Sequence, residues 1–117
     1  ACQRFYADER VDLRFGDSGE LLHEILRDNG GRPALFWLDA HYSGDGTAQL
    51  DKQTPIVAEL KAIAEDDCDG HCIVIDDARG FGVWDDYPPM DELRDLLADL
   101  FPNHSTHLEG DEIFVLP

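Results

Sequence analysis

Basic side chains are scarce in this chain. Nine Lys and Arg stand against 26 Asp and Glu, a formal net charge of −17 over 117 residues, and the isoelectric point is near 4.2. An excess of that size repels phosphate, which excludes unassisted binding to nucleic acid or to an anionic membrane surface. A cation-rich partner or a high-salt habitat would account for the acidity; a solvated surface that keeps the chain dispersed accounts for it with fewer assumptions. Long apolar runs are also missing. None approaches the roughly 20 residues of a membrane span, or the apolar stretch of a secretory leader. Cysteine is confined to Cys2, Cys68 and Cys72, an odd number that fits free thiols in a reducing cytoplasm. Cys68-Asp69-Gly70-His71-Cys72 has ligand-type residues, but no second pair completes a four-ligand zinc site. No G-x-G-x-x-G and no P-loop occurs, so the usual dinucleotide and nucleoside-triphosphate fingerprints are absent. There is no G-x-S-x-G either, which argues against a serine hydrolase built on Ser43. An EF-hand starting at Asp39 is excluded because Leu50 stands where a bidentate Glu is required.

What the chain does have is two short apolar runs that end abruptly in acid. They are Ala34-Leu35-Phe36-Trp37-Leu38-Asp39 and Cys72-Ile73-Val74-Ile75-Asp76-Asp77. Runs without polar alternation predict strands buried on both faces, as in parallel sheets. A helical pattern lies between them, so the simplest unit is strand, crossover helix, parallel strand. A right-handed crossover brings the carboxyl ends of both strands to one edge, where open α/β sheets bind ligands.

Read in order, Arg10 to Phe15 alternates charged and apolar residues and predicts a half-exposed strand. Ser18 follows as an N-cap, and Leu21, Leu22, Ile25 and Leu26 form the apolar stripe of a helix closed by Asn29-Gly30-Gly31. Residues 40–53 form a long loop, and Thr54-Pro55 opens a second helix carrying Ile56, Val57, Leu60 and Ile63. Its acidic end, Glu65-Asp66-Asp67, opposes the helix dipole and predicts fraying. Residues 77–84 are irregular. A third helix begins at Pro88-Pro89, with Met90, Leu93, Leu96, Leu97 and Leu100 at helical spacing. The tail, 106–109 and 112–116 around Gly110-Asp111, predicts a hairpin with a glycine-first turn. Together these give one α/β domain over 1–117, mainly parallel, with strands 34–39 and 71–76 central and the hairpin at one edge. The start at Ala1, and Gln3 to Tyr6 reading like the end of a helix, suggest a chain that begins partway through a longer domain.

Asp39, Asp76 and Asp77 are three carboxylates delivered by two adjacent strand ends. Close carboxylates repel, and a hard dication such as magnesium or calcium neutralises them with oxygen ligands. The plainer alternative has Asp39 and Asp77 capping the following turns while Asp76 pairs with Arg79. His41, two residues past Asp39, is placed as a general base beside the ion.

Three stretches carry a family likeness: Gly16-Asp17-Ser18, then Phe36 to Gly44 with Thr54-Pro55-Ile56 and Glu59-Leu60, then Ile73 to Arg79. In that order they resemble the carboxyl-terminal part of class I S-adenosylmethionine-dependent methyltransferases. The resemblance is to bacterial proteins related to the macrocin and aminocoumarin sugar O-methyltransferases, and it spans nearly the whole chain. It implies a partial Rossmann-like fold lacking the amino-terminal glycine-rich strand-loop. It also implies a magnesium site at Asp39, Asp76 and Asp77, a base at His41, where the family has an acid, and cofactor contacts from Gly16, Asp17 and Ser18. The implied activity is metal-assisted O-methyl transfer to a small molecule, or a fragment of that machinery. A non-catalytic binding or assembly module is the alternative, and a metal-dependent hydrolase using the same carboxylates is a weaker one. The missing neighbour of strand 10–15 further predicts either its pairing with 34–39 or a homodimer that shields the sheet.

Overall fold

We describe the chain from a computed structural model, over residues 9–12, 14–39, 56–83 and 87–117. The elements are α1 (Ser18–Asn29), β1 (Leu35–Leu38), α2 (Ile56–Glu65), β2 (Cys72–Ile75), α3 (Met90–Leu100), β3 (Ser105–Glu109) and β4 (Glu112–Leu116), with a 3-10 turn at Ala78–Gly80. The strands form one mixed sheet in the order β1-β2-β4-β3.

The two acid-ended runs do pair in parallel, Leu35 opposite Cys72 through Leu38 opposite Ile75. The other two pairings, β2 with β4 and β3 with β4, are antiparallel. The expectation of a mainly parallel sheet is therefore corrected. The carboxyl-terminal hairpin does lie at one edge, with β3 outermost, and β4 docks directly on β2 as its second neighbour. Strand 34–39 is not central either. Among the described residues β1 is at an edge, and its burial alternates, with Leu35 68 % and Trp37 59 % exposed while Leu38 is buried. Only β2 is close to the doubly buried strand expected of both.

The register sorts the sheet into two faces, because paired residues share a face. One carries Leu38, Ile73, Ile75, Ile113 and Val115, which join Leu22 and Leu26 of α1, the α2 residues Ile56, Leu60 and Ile63, and Leu93 and Leu97 of α3 in a single core. The other carries Leu35, Trp37, Cys72, Val74, Phe114 and Leu116. The predicted strand at 10–15 is absent: residues 11, 12, 14 and 15 lie in no strand. No described strand runs alongside to complete their backbone bonds. Arg14 instead pairs with Asp12 at 2.9 Å and Asp28 at 3.0 Å.

Local chemistry explains the helix ends. Asp17, rather than Ser18, caps α1, its carboxylate accepting from the Gly19 N–H at 2.9 Å. Gly30 ends the helix in the left-handed region, φ 67°. The hairpin turns on Gly110, φ 62°, followed by an Asp111 with negative φ, the glycine-first geometry expected. Thr54-Pro55, proposed to open α2, lies outside the described residues.

The acidic end of α2 has a use that the dipole argument missed. His71, 1 % exposed, accepts at Nδ1 from the Ala34 N–H at 3.0 Å. The proton is thereby on Nε2, which donates to Asp66 at 2.7 Å. His104 donates from Nε2 to the His71 carbonyl at 2.9 Å. Through its ring and its carbonyl, His71 thus fastens the starts of β1 and β2 to the end of α2 and the segment after α3. His71 is structural, and Cys68 and Cys72 beside it are free thiols.

Candidate functional site

At the carboxyl end of the parallel pair, β1 delivers Asp39 and β2 delivers Asp76 and Asp77. One carboxylate oxygen from each lies within 4.8 Å of the other two, the one such His, Cys, Asp or Glu cluster found among the described residues. The backbone sets this geometry. The Asp76 N–H donates to the Leu38 carbonyl at 2.9 Å, continuing the β1–β2 ladder one residue past the strand. Asp77 then turns into the left-handed region, φ 62° and ψ 44°, the one non-glycine described residue with positive φ. Asp tolerates that region better than most residues because its short side chain bonds locally. Here the local bond runs from the Asp77 N–H to Asp76 Oδ1, at 2.8 Å.

The turn after the site is locked from the hairpin. Asp111 accepts from the Ala78 N–H through its carbonyl at 2.9 Å and from the Arg79 N–H through Oδ1 at 3.0 Å. It also accepts from the Arg79 guanidinium. The same guanidinium is 3.5 Å from Asp77. The plainer sequence alternative therefore has its partners exchanged: Asp76 caps the turn and Asp77 approaches Arg79.

Crowding leaves its mark on Asp77, whose carboxyl is held above the usual range. Burial is the largest cause, a hydrogen bond shared with Asp39 comes next, and the charges of Asp76 and Asp39 add to it, partly offset by Arg79. Two carboxyl groups that share a hydrogen bond need a proton between them. A dication at the same place supplies positive charge without it. All three are hard oxygen donors, brought from two strand ends, a set that fits magnesium or calcium and does not favour zinc or copper.

A fourth acid belongs to this edge, and the sequence reading left it out of the site. Glu59 of α2 is 5 % exposed and accepts from the Ser18 hydroxyl at 2.5 Å. Its carboxyl is pushed up by burial first; the Ser18 bond opposes this, and the charges of Asp17 and Asp39 add to it. The signal was in the periodicity. Ile56, Leu60 and Ile63 define the buried face of α2, and position 59 falls on that face.

Of the residues expected to contact S-adenosylmethionine, Asp17 caps α1 and Ser18 is bonded to Glu59. Both side chains are thus engaged within the chain. Gly16 is exposed with φ 145° and packs near Leu21. His41, the expected base, lies outside the described residues. No family model, curated protein or solved structure matches the chain.

Proposed function

We propose that the carboxyl edge of β1 and β2 holds one magnesium or calcium ion on Asp39, Asp76 and Asp77, and that the chain serves a metal-assisted O-methyltransferase of the S-adenosylmethionine-dependent type. The observation that carries the metal part is the convergence of three carboxylate oxygens within 4.8 Å, with the Asp77 carboxyl pushed above its ordinary range by burial and by its acidic neighbours. When bound, a hard dication polarises a substrate oxygen and lowers the pKa of a hydroxyl. The chain's own residues position that chemistry: Asp76 fixes the turn, Asp39 and Asp77 bring their carboxylates to the same place, and His41 follows Asp39 in sequence as proton acceptor. The methyl-transfer part rests on the sequence resemblance alone. The free thiols of Cys68 and Cys72 fit a reducing, cytoplasmic setting, and no described helix is long and apolar enough to cross a membrane.

Thermal unfolding tests the metal part. Magnesium or calcium should raise the melting temperature above that in a monovalent salt of matched ionic strength, since any salt screens a net charge of −17. Asp76→Asn combined with Asp77→Asn should abolish the difference. Identical responses from wild type and the double variant would make the cluster ordinary surface acidity.

A second reading has its own observation. Leu35 and Trp37 stand exposed on the sheet face opposite the core, as an assembly module's would, and a homodimer would cover them.

A further inference from the structure

Away from the acidic edge, α3 and β3 enclose a groove of about 590 Å³, within the ~300–1,000 Å³ typical of small-molecule sites. We infer that it binds a small amphipathic carboxylate, its hydrocarbon body against the groove floor and its anionic head on Arg94. The floor and walls are Met90, Leu93, Leu97, Phe101, Leu108 and Ile113, and the polar lining is Arg94, His104 and Thr106.

The charge pattern selects the ligand. This chain carries 26 acids and nine Lys and Arg, yet among the described residues no carboxylate lines the groove. The cause is helical phase. Positions 90, 93, 94, 97, 98 and 101 are one stripe at the i, i+3, i+4, i+7 spacing, whereas Asp91, Glu92, Asp95 and Asp99 fall outside it. Among the described residues Arg94 makes no hydrogen bond and no ion pair. Arg14 and Arg79, by contrast, are both engaged with carboxylates. An unpaired guanidinium at the rim of an apolar trough is a bidentate receptor for a carboxylate. On the opposite wall Leu108 is 53 % exposed, leaving apolar surface for a chain to cover. The groove's volume and single unpaired cation suit a small molecule. A protein partner would need an interface of roughly 1,200 Å² or more.

Decanoate is the probe, with decanol as its uncharged counterpart, titrated into the intact chain by calorimetry and amide-resolved NMR. Decanoate should bind with a dissociation constant below about 1 mM and shift the amides of residues 93–98 and 106–108. Arg94→Gln should weaken it at least tenfold, Arg94→Lys less, and decanol should bind at least tenfold more weakly than decanoate. Arg94 is exposed on its helix, so the fold should persist, which circular dichroism checks. Leu108→Glu gives a second arm, placing an anion beside the head group from the strand side, and should also abolish binding. Absence of binding by the wild type, equal binding of decanol, or affinity indifferent to both Arg94→Gln and Leu108→Glu would overturn the inference. None of these results depends on the metal reading.

Discussion

At the scale of single residues, Glu59 and His71 are the two buried polar or charged residues among those described, and each sets an expectation. A carboxyl whose folded pKa is raised keeps its proton in the folded state where the unfolded chain has lost it. Its stabilising contribution is full below the ordinary carboxylate range and is lost as pH rises through the folded value. Glu59 and Asp77 are both of this kind, so stability should fall as pH climbs out of the acid range. Glu59→Gln keeps an acceptor for Ser18 and removes the buried charge. It should stabilise the chain at neutral pH by on the order of 1 kcal/mol and flatten the pH profile, as read by urea unfolding across pH. His71→Leu should act oppositely. It strands the Ala34 N–H and the Asp66 carboxylate and should cost roughly 3 kcal/mol in the same measurement. Neither residue announces its role in the sequence in the same way. Glu59 betrays itself by its phase on an apolar helix face. His71 sits in a stretch whose cysteines suggest a metal, and its partners, Ala34 and Asp66, come from segments that only folding brings together.

At the scale of elements, helix formers and turn residues were legible because their causes are local. Gly30, the Met90–Leu100 stripe and the Gly110-Asp111 turn all stand where spacing and glycine chemistry put them. The adjacency of the two acid-ended runs was legible as well, since an apolar strand needs cover and a crossover supplies it. The strand at 10–15 was not, because alternation records which faces a segment could bury and says nothing of whether a neighbour exists. The same limit hid the docking of β4 on β2, a choice between partners of similar apolarity. One seam between elements can be tested directly. Ser18 at the start of α1 bonds Glu59 of α2, and Gly19 lets the helices approach, since a Cβ there would stand 3.2 Å from that of Ala58. Ser18→Ala should cost about 1–2 kcal/mol. If the bond to Glu59 is the reason, the cost shrinks in a Glu59→Leu background, which offers no acceptor, and a double-mutant cycle reads the difference. An unchanged cost would assign Ser18 to helix propensity alone.

At the scale of the whole molecule, two forces oppose each other. The sheet face bearing Leu35 and Trp37 favours self-association, and a net charge of −17 resists it. A homodimer through that face should therefore strengthen with salt. Light scattering should show the mass rising between about 0.02 and 0.5 M monovalent salt, where screening shortens from tens of ångströms to a few. Leu35→Lys with Trp37→Ser should hold the chain monomeric throughout, and a wild-type mass independent of salt and concentration would remove the assembly reading.

The sheet order has a consequence for how the fold comes apart. Among the described residues β2 and β4 have neighbours on both sides, whereas β1 has only β2, a pairing that begins with Leu35 opposite the sequence-distant Cys72. The β3–β4 hairpin closes over two residues. Amide hydrogen exchange should accordingly be graded across the sheet, with residues 35–38 released in an early partial opening and residues 113–115 only with global unfolding. That first opening splits the acidic edge, because Asp39 leaves with β1 while Asp76 and Asp77 stay with β2. A cation bridging the three would act as a latch on this one motion. Magnesium should slow exchange in residues 35–38 before it changes anything in the hairpin.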